Sequence, residues 1–154
     1  MRATMIKVRI GTGDVPAALR SIADFARFPS LADDVRSVTV DADGSHWAVN
    51  FRRGLMRWHE TETVDVAALR ISFEQTVGDF ADFHGSWRLT PVIGGAHVVF
   101  EVTYDFGIDS MAGLMDPIAE RVIKRVVCAV LTGLFGEITI LAGGEALVDL
   151  GRAA

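Results

Sequence analysis

The stretch RWHETET, residues 57–63, alternates in a way that suits a strand and not a helix. Read as a strand, it divides its side chains between two faces, and Met56, Trp58, Glu60, Glu62, Val64 and Val66 share the even one. That face is apolar except for two successive carboxylates. The period of two extends from here in both directions, almost without a break from residue 35 to residue 108.

Upstream, VRSVTVDA (35–42) and SHWAVNFRR (45–53) are joined at Asp43-Gly44, a dipeptide suited to a hairpin turn. Downstream, the corner at 65–68, Gly78-Asp79 and Gly94-Gly95 divide LRISFEQTV (69–77), FADFHGSWRLTPV (80–92) and AHVVFEVTYDF (96–106). TMIKVRI (4–10) adds a half-buried strand before them. The expectation is a seven-stranded antiparallel sheet with one apolar face: Trp47, Val49 and Phe51; Ile71, Phe73 and Val77; Phe83, Trp87 and Leu89; Val98, Phe100, Val102, Tyr104 and Phe106.

Such a face needs a cover. Between the first two strands, Asp14 is placed to cap a helix through VPAALRSIADFARF, which Pro29 interrupts before a second short turn. After Asp109-Ser110, MAGLMDPIAERVIKRVVCAVLTGLFGEITIL places Met111, Leu114, Met115, Ile118, Val122, Val126, Ala129 and Leu134 at helical spacing, with Pro117 near its start. From Val126 onward nearly every position is apolar. One sheet contact does not account for that, so the segment 126–150 is expected to form an oligomer contact, giving a homodimer, or a tail folded back. A single fatty helix is the plainer alternative.

With 154 residues, half of them apolar, the chain is expected to form one domain, 1–154. A net charge of -5 argues against a nucleic-acid surface, and a single cysteine, Cys128, excludes a disulfide framework and a thiolate-rich metal site. No apolar run with a cleavage site opens the sequence, from which a cytoplasmic protein without a membrane span is expected. His46, His59, His84 and His97 all fall on the outward parity, no two of them as convincing ligands, so no metal and no cofactor is expected.

The order of strand, two short helices, six-stranded meander and long C-terminal helix resembles the α+β helix-grip fold of the START-like superfamily, a curved sheet wrapped around its last helix. FARFPSLADDVRSVTV (25–40), RWHE (57–60), VGDFADFHGSWRLTP (77–91), GGAHVVFEVTYDFGI (94–108) and MDPIAERVI (115–123) together resemble the polyketide aromatase/cyclases and the allied polyketide cyclase/dehydrase proteins. The resemblance covers about residues 4–130. It implies a poly-β-ketone chain presented by an acyl carrier protein, and ring closure with dehydration in a cavity. It also implies an arginine beyond an inward aromatic, assisted by a polar cavity residue. Trp58 matches the aromatic, but Glu60 stands at the polar position and Glu62 at or beside the arginine. An ionised carboxylate cannot polarise a ketone, so the arginine's role does not carry over.

The residues offer a different chemistry. Glu60 and Glu62 lie about 6.6 Å apart along a strand. At an effective dielectric near 20, two charges at that distance repel by about 2.5 kcal/mol, and desolvation adds to this in the same direction. One carboxyl of the pair is thereby kept protonated, able to donate to a carbonyl or leaving hydroxyl while its neighbour takes a proton from an activated methylene. A bulge, or pairing with Arg53 or Arg57, would instead leave both in solvent or in a neutral ion pair. Arg53, on the face of Trp47, Val49 and Phe51, is placed as a counter-ion or as a replacement for the missing arginine.

Tyr104 completes the expected catalytic set of Glu60, Glu62, Arg53 and Tyr104, although a tyrosine satisfied by backbone is the commoner case. Trp47, Trp58, Phe73, Gln75, Phe83, Trp87 and Phe100 are the expected substrate-binding wall, or else ordinary core. The material for docking an acidic carrier protein is Arg52, Arg57, Lys124 and Arg125. Two functions follow: a polyketide cyclase or dehydratase, and a non-catalytic carrier of a lipid, quinone or natural product. Loss of turnover with retained binding in a Glu60→Gln variant distinguishes them.

Overall fold

The computed structural model describes residues 1–52, 54–107 and 109–147, without the side chains of 109–113. β1 (Arg2–Gly11) leads to α1 (Val15–Ile22), a 3-10 turn (Phe25–Arg27) and α2 (Phe28–Leu31). Then come β2 (Val35–Val40), β3 (Ser45–Asn50), β4 (Leu55–Asp65), β5 (Arg70–Gly78), β6 (Asp82–Val92), β7 (Gly95–Asp105), α3 (Asp109–Phe135) and β8 (Thr139–Ala142).

Asp14 caps α1 as its sequence predicts, its carboxylate accepting from the Ala17 N–H at 3.0 Å. The helix is shorter than expected. It ends at Ile22, and the chain turns twice so that Phe25 and Phe28 both reach the core. Pro29 opens α2, where its missing N–H costs nothing.

The strands form one antiparallel sheet in the order β2-β3-β4-β5-β6-β7-β1-β8, eight where the sequence predicts seven. The additional strand is the tail after α3, folded back against β1. Lys124 Nζ holds it, donating to the Gly143 carbonyl at 2.7 Å and to Glu120 Oε2 at 2.9 Å. Ile140 and Leu141 on this strand are more than two-fifths exposed. Residues 148–150 of the expected apolar segment lie outside the described residues. Among the described residues no helix is long and apolar enough to cross a membrane.

The curved sheet closes on α3 through Ala119, Val122, Ile123, Val127, Val130 and Leu131, all buried against Ile6, Val8, Val98, Val102 and the strand aromatics. Burial of this kind is the main favourable term in folding, at about 25 cal/mol per Å² of apolar surface.

The ladders shift register at three places, between β1 and β8, between β2 and β3, and between β4 and β5, and the last of these bears on the site. Opposite His59 and Glu60 the partners on β5 are Val77 and Gln75, so Thr76 is an extra residue in the ladder. The bulge reverses the end of β5: Val77, expected to point inward, is 69 % exposed. Val64 likewise leaves the core, at 43 % exposed, because β4 runs past the covered part of the sheet.

The β2–β3 turn packs close to β4. Gly44 has φ +150°, and a Cβ built there would lie 1.9 Å from the Glu60 carbonyl oxygen, whereas one at Gly13 would meet nothing within 4 Å. Gly44→Ala is therefore expected to destabilise the protein by about 2–4 kcal/mol in urea denaturation, with Gly13→Ala close to neutral.

Candidate functional site

Between sheet and helices lies an elongated hollow of about 70 Å³. The sheet supplies Trp47 and Val49 from β3, Trp58 and Glu60 from β4, Phe73 from β5, Phe83 and Trp87 from β6, and Phe100 from β7. The helical side supplies Phe25, Phe28, Ile123, Val126 and Val127. Six of the seven residues expected to form a substrate-binding wall are thus brought together. Trp47 and Trp58, direct partners across the β3–β4 ladder, stack with centroids 5.9 Å apart and planes 2° apart. Phe28 stands edge-on to Trp47 at 5.3 Å and to Trp87 at 6.3 Å.

The seventh, Gln75, is elsewhere. The bulge beside it turns its amide onto the β5–β6 connection, where Nε2 donates to the Phe80 carbonyl at 2.9 Å and Oε1 accepts from the Phe80 N–H at 3.3 Å. It fixes the turn that carries Phe80 and does not line the hollow.

Among the described residues Glu60 is the one ionisable side chain in the lining, and it is 4 % exposed. Its Oε1 accepts from Trp58 Nε1 at 2.8 Å, a contact between positions two apart on one strand face. Burial in this apolar wall raises its carboxyl well above the usual carboxylate range. A hydrogen bond with Glu62 and the Glu62 charge push the same way, and only the Trp58 N–H opposes them. The shift favours the neutral form of Glu60, and burial is its largest cause, with the neighbouring carboxylate adding to it.

Glu62 sits one pleat further along, half-buried and outside the lining. Its Oε2 accepts from Ser45 Oγ at 2.5 Å, and Ser45 Oγ accepts from Trp47 Nε1 at 2.7 Å. Ser45, wholly buried, is a site residue that sequence reasoning missed. Its signal was present: it lies two positions before Trp47 and therefore on the same face. The indole N–H groups of Trp58 and Trp47, two of the three tryptophans that line the hollow, are thus committed to the acid pair, one directly and one through a hydroxyl.

Two expected catalytic residues are not placed at this site. Tyr104 is fully buried, but its hydroxyl donates to the Asp116 carbonyl of α3 at 2.8 Å and its ring is not part of the lining. Burial pushes that phenol well above its ordinary value, so it remains a donor locked to a helix carbonyl. The backbone-satisfied alternative applies. Arg53 lies outside the described residues. The expected basic material is also redistributed: Lys124 is buried against Glu120 and Arg125 pairs with Asp34 at 2.8 Å, while Arg52 and Arg57 share an outer groove with Arg36.

The imidazoles of His46 and His59 lie outside the sheet, as their parity requires. Contrary to expectation, two of the four histidines are neighbours: His46 faces His59 across the ladder with ring centroids 4.4 Å apart. The sequence could not show this because the pairing register depends on the length of the connection between β3 and β4.

Residues 15–131 match the family model described as polyketide cyclase / dehydrase and lipid transport. No curated protein sequence is significantly similar to the chain. Among solved structures, TTHA0849 from Thermus thermophilus superposes with a TM-score of 0.75 at 24 % identity, over 96 % of this chain and 99 % of that one. The Zhui aromatase/cyclase from Streptomyces sp. R1128 gives 0.70 at 16 % identity, over 99 % and 98 %. The di-domain aromatase/cyclase BexL of the BE-7585A biosynthetic pathway gives 0.69 at 20 % identity, over 87 % of this chain and 46 % of that one. A START superfamily protein from Mycobacterium smegmatis, at 10 % identity, gives 0.69 over 86 % of this chain and 97 % of that one. These likenesses establish the helix-grip fold.

The raised carboxyl of Glu60 has a consequence for stability. The native state keeps a proton that the unfolded chain loses at about pH 4.3, so native stability declines as pH rises from there through the raised native value. Glu60→Gln carries no such proton. The melting temperature of Glu60→Gln is expected to gain on that of the unmodified protein as pH is raised from about 5 to about 8, and a constant difference across that range would contradict the assignment.

Proposed function

Because the chain belongs to the polyketide cyclase / dehydrase and lipid transport family, we propose that it binds a polyketide-type intermediate in the aromatic hollow and promotes its cyclisation and dehydration, with Glu60 as the acid. The observation that carries this reading is a buried carboxyl, raised well above the usual carboxylate range, set in an otherwise apolar lining beside a second carboxylate.

Glu60 donates to a ketone oxygen while the enolate carbon of the same chain attacks that carbonyl carbon. The oxygen becomes a hydroxyl. The proton lost from the methylene between two carbonyls returns to the Glu60–Glu62 pair, which ends the step as it began. For dehydration the pair takes the remaining proton on the attacking carbon and gives one to the departing hydroxyl, which leaves as water. Glu62, held by Ser45 and closer to solvent, exchanges the proton with Glu60, so that the pair can take one and give one in the same step. The flat walls of Trp47, Trp58 and Trp87 suit the planar product. An acyl carrier protein is the partner this substrate implies, and the Arg36, Arg52 and Arg57 groove offers it a basic surface.

The second reading, carriage of a hydrophobic molecule without chemistry, is favoured by the lining itself, in which Glu60 is the sole ionisable group among the described residues.

Incubation with a reactive poly-β-ketone thioester, with products resolved by mass spectrometry, tests the proposal. Cyclised products are expected to exceed the spontaneous background, with a loss of about 10²-fold in Glu60→Gln and binding retained, as followed by quenching of the three lining tryptophans. Tight binding with an unchanged product distribution would assign the protein to carriage.

A further inference from the structure

A second polar cluster lies on the opposite side of the same strands. Asp41 follows β2 and opens the turn into β3, closed by the Asp41 N–H donating to the Gly44 carbonyl at 2.9 Å. The Asp43 N–H donates to Asp41 Oδ1 at 2.8 Å, which fixes the carboxylate and leaves Oδ2 aimed over the sheet. There Oδ2 lies 2.8 Å from His46 Nε2 and 3.4 Å from His59 Nε2. The three ligand atoms all fall within 4.8 Å of one another.

The tautomer of His59 follows from its other nitrogen. Nδ1 is 2.6 Å from Thr76 Oγ1, and that hydroxyl gives its own proton to the His59 carbonyl at 3.3 Å. In the tautomer in which Nδ1–H donates to Thr76 Oγ1, the neutral ring presents the Nε2 lone pair to the Asp41 carboxylate, and a cation between the two acceptors satisfies both. A hydroxyl or carboxylate fixing the far nitrogen is also how metal-bound histidines are oriented. The bulged Thr76, unexplained by the inner hollow, supplies that contact.

The spacing suits an ion. Bonds of about 2.0–2.2 Å in a tetrahedron place ligand atoms about 3.3 Å apart, close to what Asp41 Oδ2 already shows toward both imidazoles. Neighbouring charge does not oppose it, because the surrounding groove contains Arg57 and Asp79, one of each sign.

We propose that Asp41 Oδ2, His46 Nε2 and His59 Nε2 form a binding site for a divalent transition-metal ion of the zinc type, with water completing the coordination. Imidazole and carboxylate are ligands for such ions, and no thiolate is required. The ion joins the β2–β3 turn, β3 and β4 on the outer face. These strands carry Trp47, Trp58 and Glu60 on the inner one, so the site acts as an external clamp on the register of the hollow. It is independent of whether the hollow performs chemistry.

The test is titration calorimetry of the metal-stripped full chain with Zn²⁺ alone. One saturable site is expected, together with a rise in melting temperature when Zn²⁺ is present. His46→Ala and His59→Gln should each weaken binding by at least about 10-fold and abolish the thermal shift. The His46 side chain is 60 % exposed, so its variant tests ligation without disturbing the core. His84→Ala, which removes the separate His84–Asp82 pair, should leave both readouts unchanged. Absence of saturable binding, or undiminished affinity in His46→Ala and His59→Gln, would overturn the site and leave Asp41 as a hydrogen-bond partner of the two imidazoles.

Discussion

The ladder between β3 and β4 fixes the molecule's chemistry. Its register sets Trp47 against Trp58, His46 against His59, and Ser45 against Glu60. Because side chains alternate strictly, a slip of one residue in either strand would send an indole out and an imidazole in. The stacked tryptophans, whose inner face is covered by Phe28 and the helical side, make that slip costly. The hairpin turn at Gly44 adds a steric constraint of its own, since only a residue without Cβ lets the chain pass the Glu60 carbonyl. An aromatic wall inside and an imidazole pair outside are two results of one pairing.

The protein places two glutamates beside its core and treats them oppositely. At Glu120 burial alone would raise the carboxyl, but Lys124 and Arg2 outweigh it and hold the group below the usual range. Arg2 donates to Oε1 through both Nε and a terminal nitrogen, and Lys124 donates to Oε2. That carboxylate is charged, paired and structural, tying β1 to α3 and α3 to the tail. Glu60 receives one indole N–H and the proximity of a like charge, which cannot compensate desolvation. Its cheapest state is the neutral one. A carboxyl kept protonated inside an apolar wall retains a proton to give, and this contrast separates a candidate acid from a fold-holding ion pair.

Much of this was legible in the sequence because period-two alternation is a local property. It assigns Trp47, Trp58, Glu60, Phe73, Phe83, Trp87 and Phe100 to the inner face, and it sets beside Glu60 a second carboxylate whose charge adds to the burial that raises it. Val77 is misplaced because one extra residue, Thr76, reverses parity beyond it, and no composition signal marks a bulge of that kind; Gln75, before the bulge, keeps its register opposite Glu60 but spends its amide on the Phe80 backbone. Tyr104 shows a different limit. Its inward direction was correct, but which carbonyl its hydroxyl meets depends on where α3 crosses the sheet. The eighth strand was hidden because ITILA after a glycine-broken helix reads equally well as apolar tail or interface.

The size of the hollow constrains what any ligand must do. At about 70 Å³ it is well below the roughly 300–1,000 Å³ of ordinary small-molecule pockets, so a bound polyketide or lipid has to gain room. The sheet wall cannot give way cheaply, because displacing a central strand breaks backbone hydrogen bonds on both sides. The opposite wall differs in kind. Phe25 and Phe28 are carried by a three-residue 3-10 turn and a four-residue helix, neither with a side-chain cap, and their rings fill the space against Trp47 and Trp87. Turning those two rings outward opens the hollow without touching the ladder that positions Glu60. On the proposed reading, the compliant wall sets how large a ligand is admitted, and the rigid wall sets where its carbonyl meets Glu60.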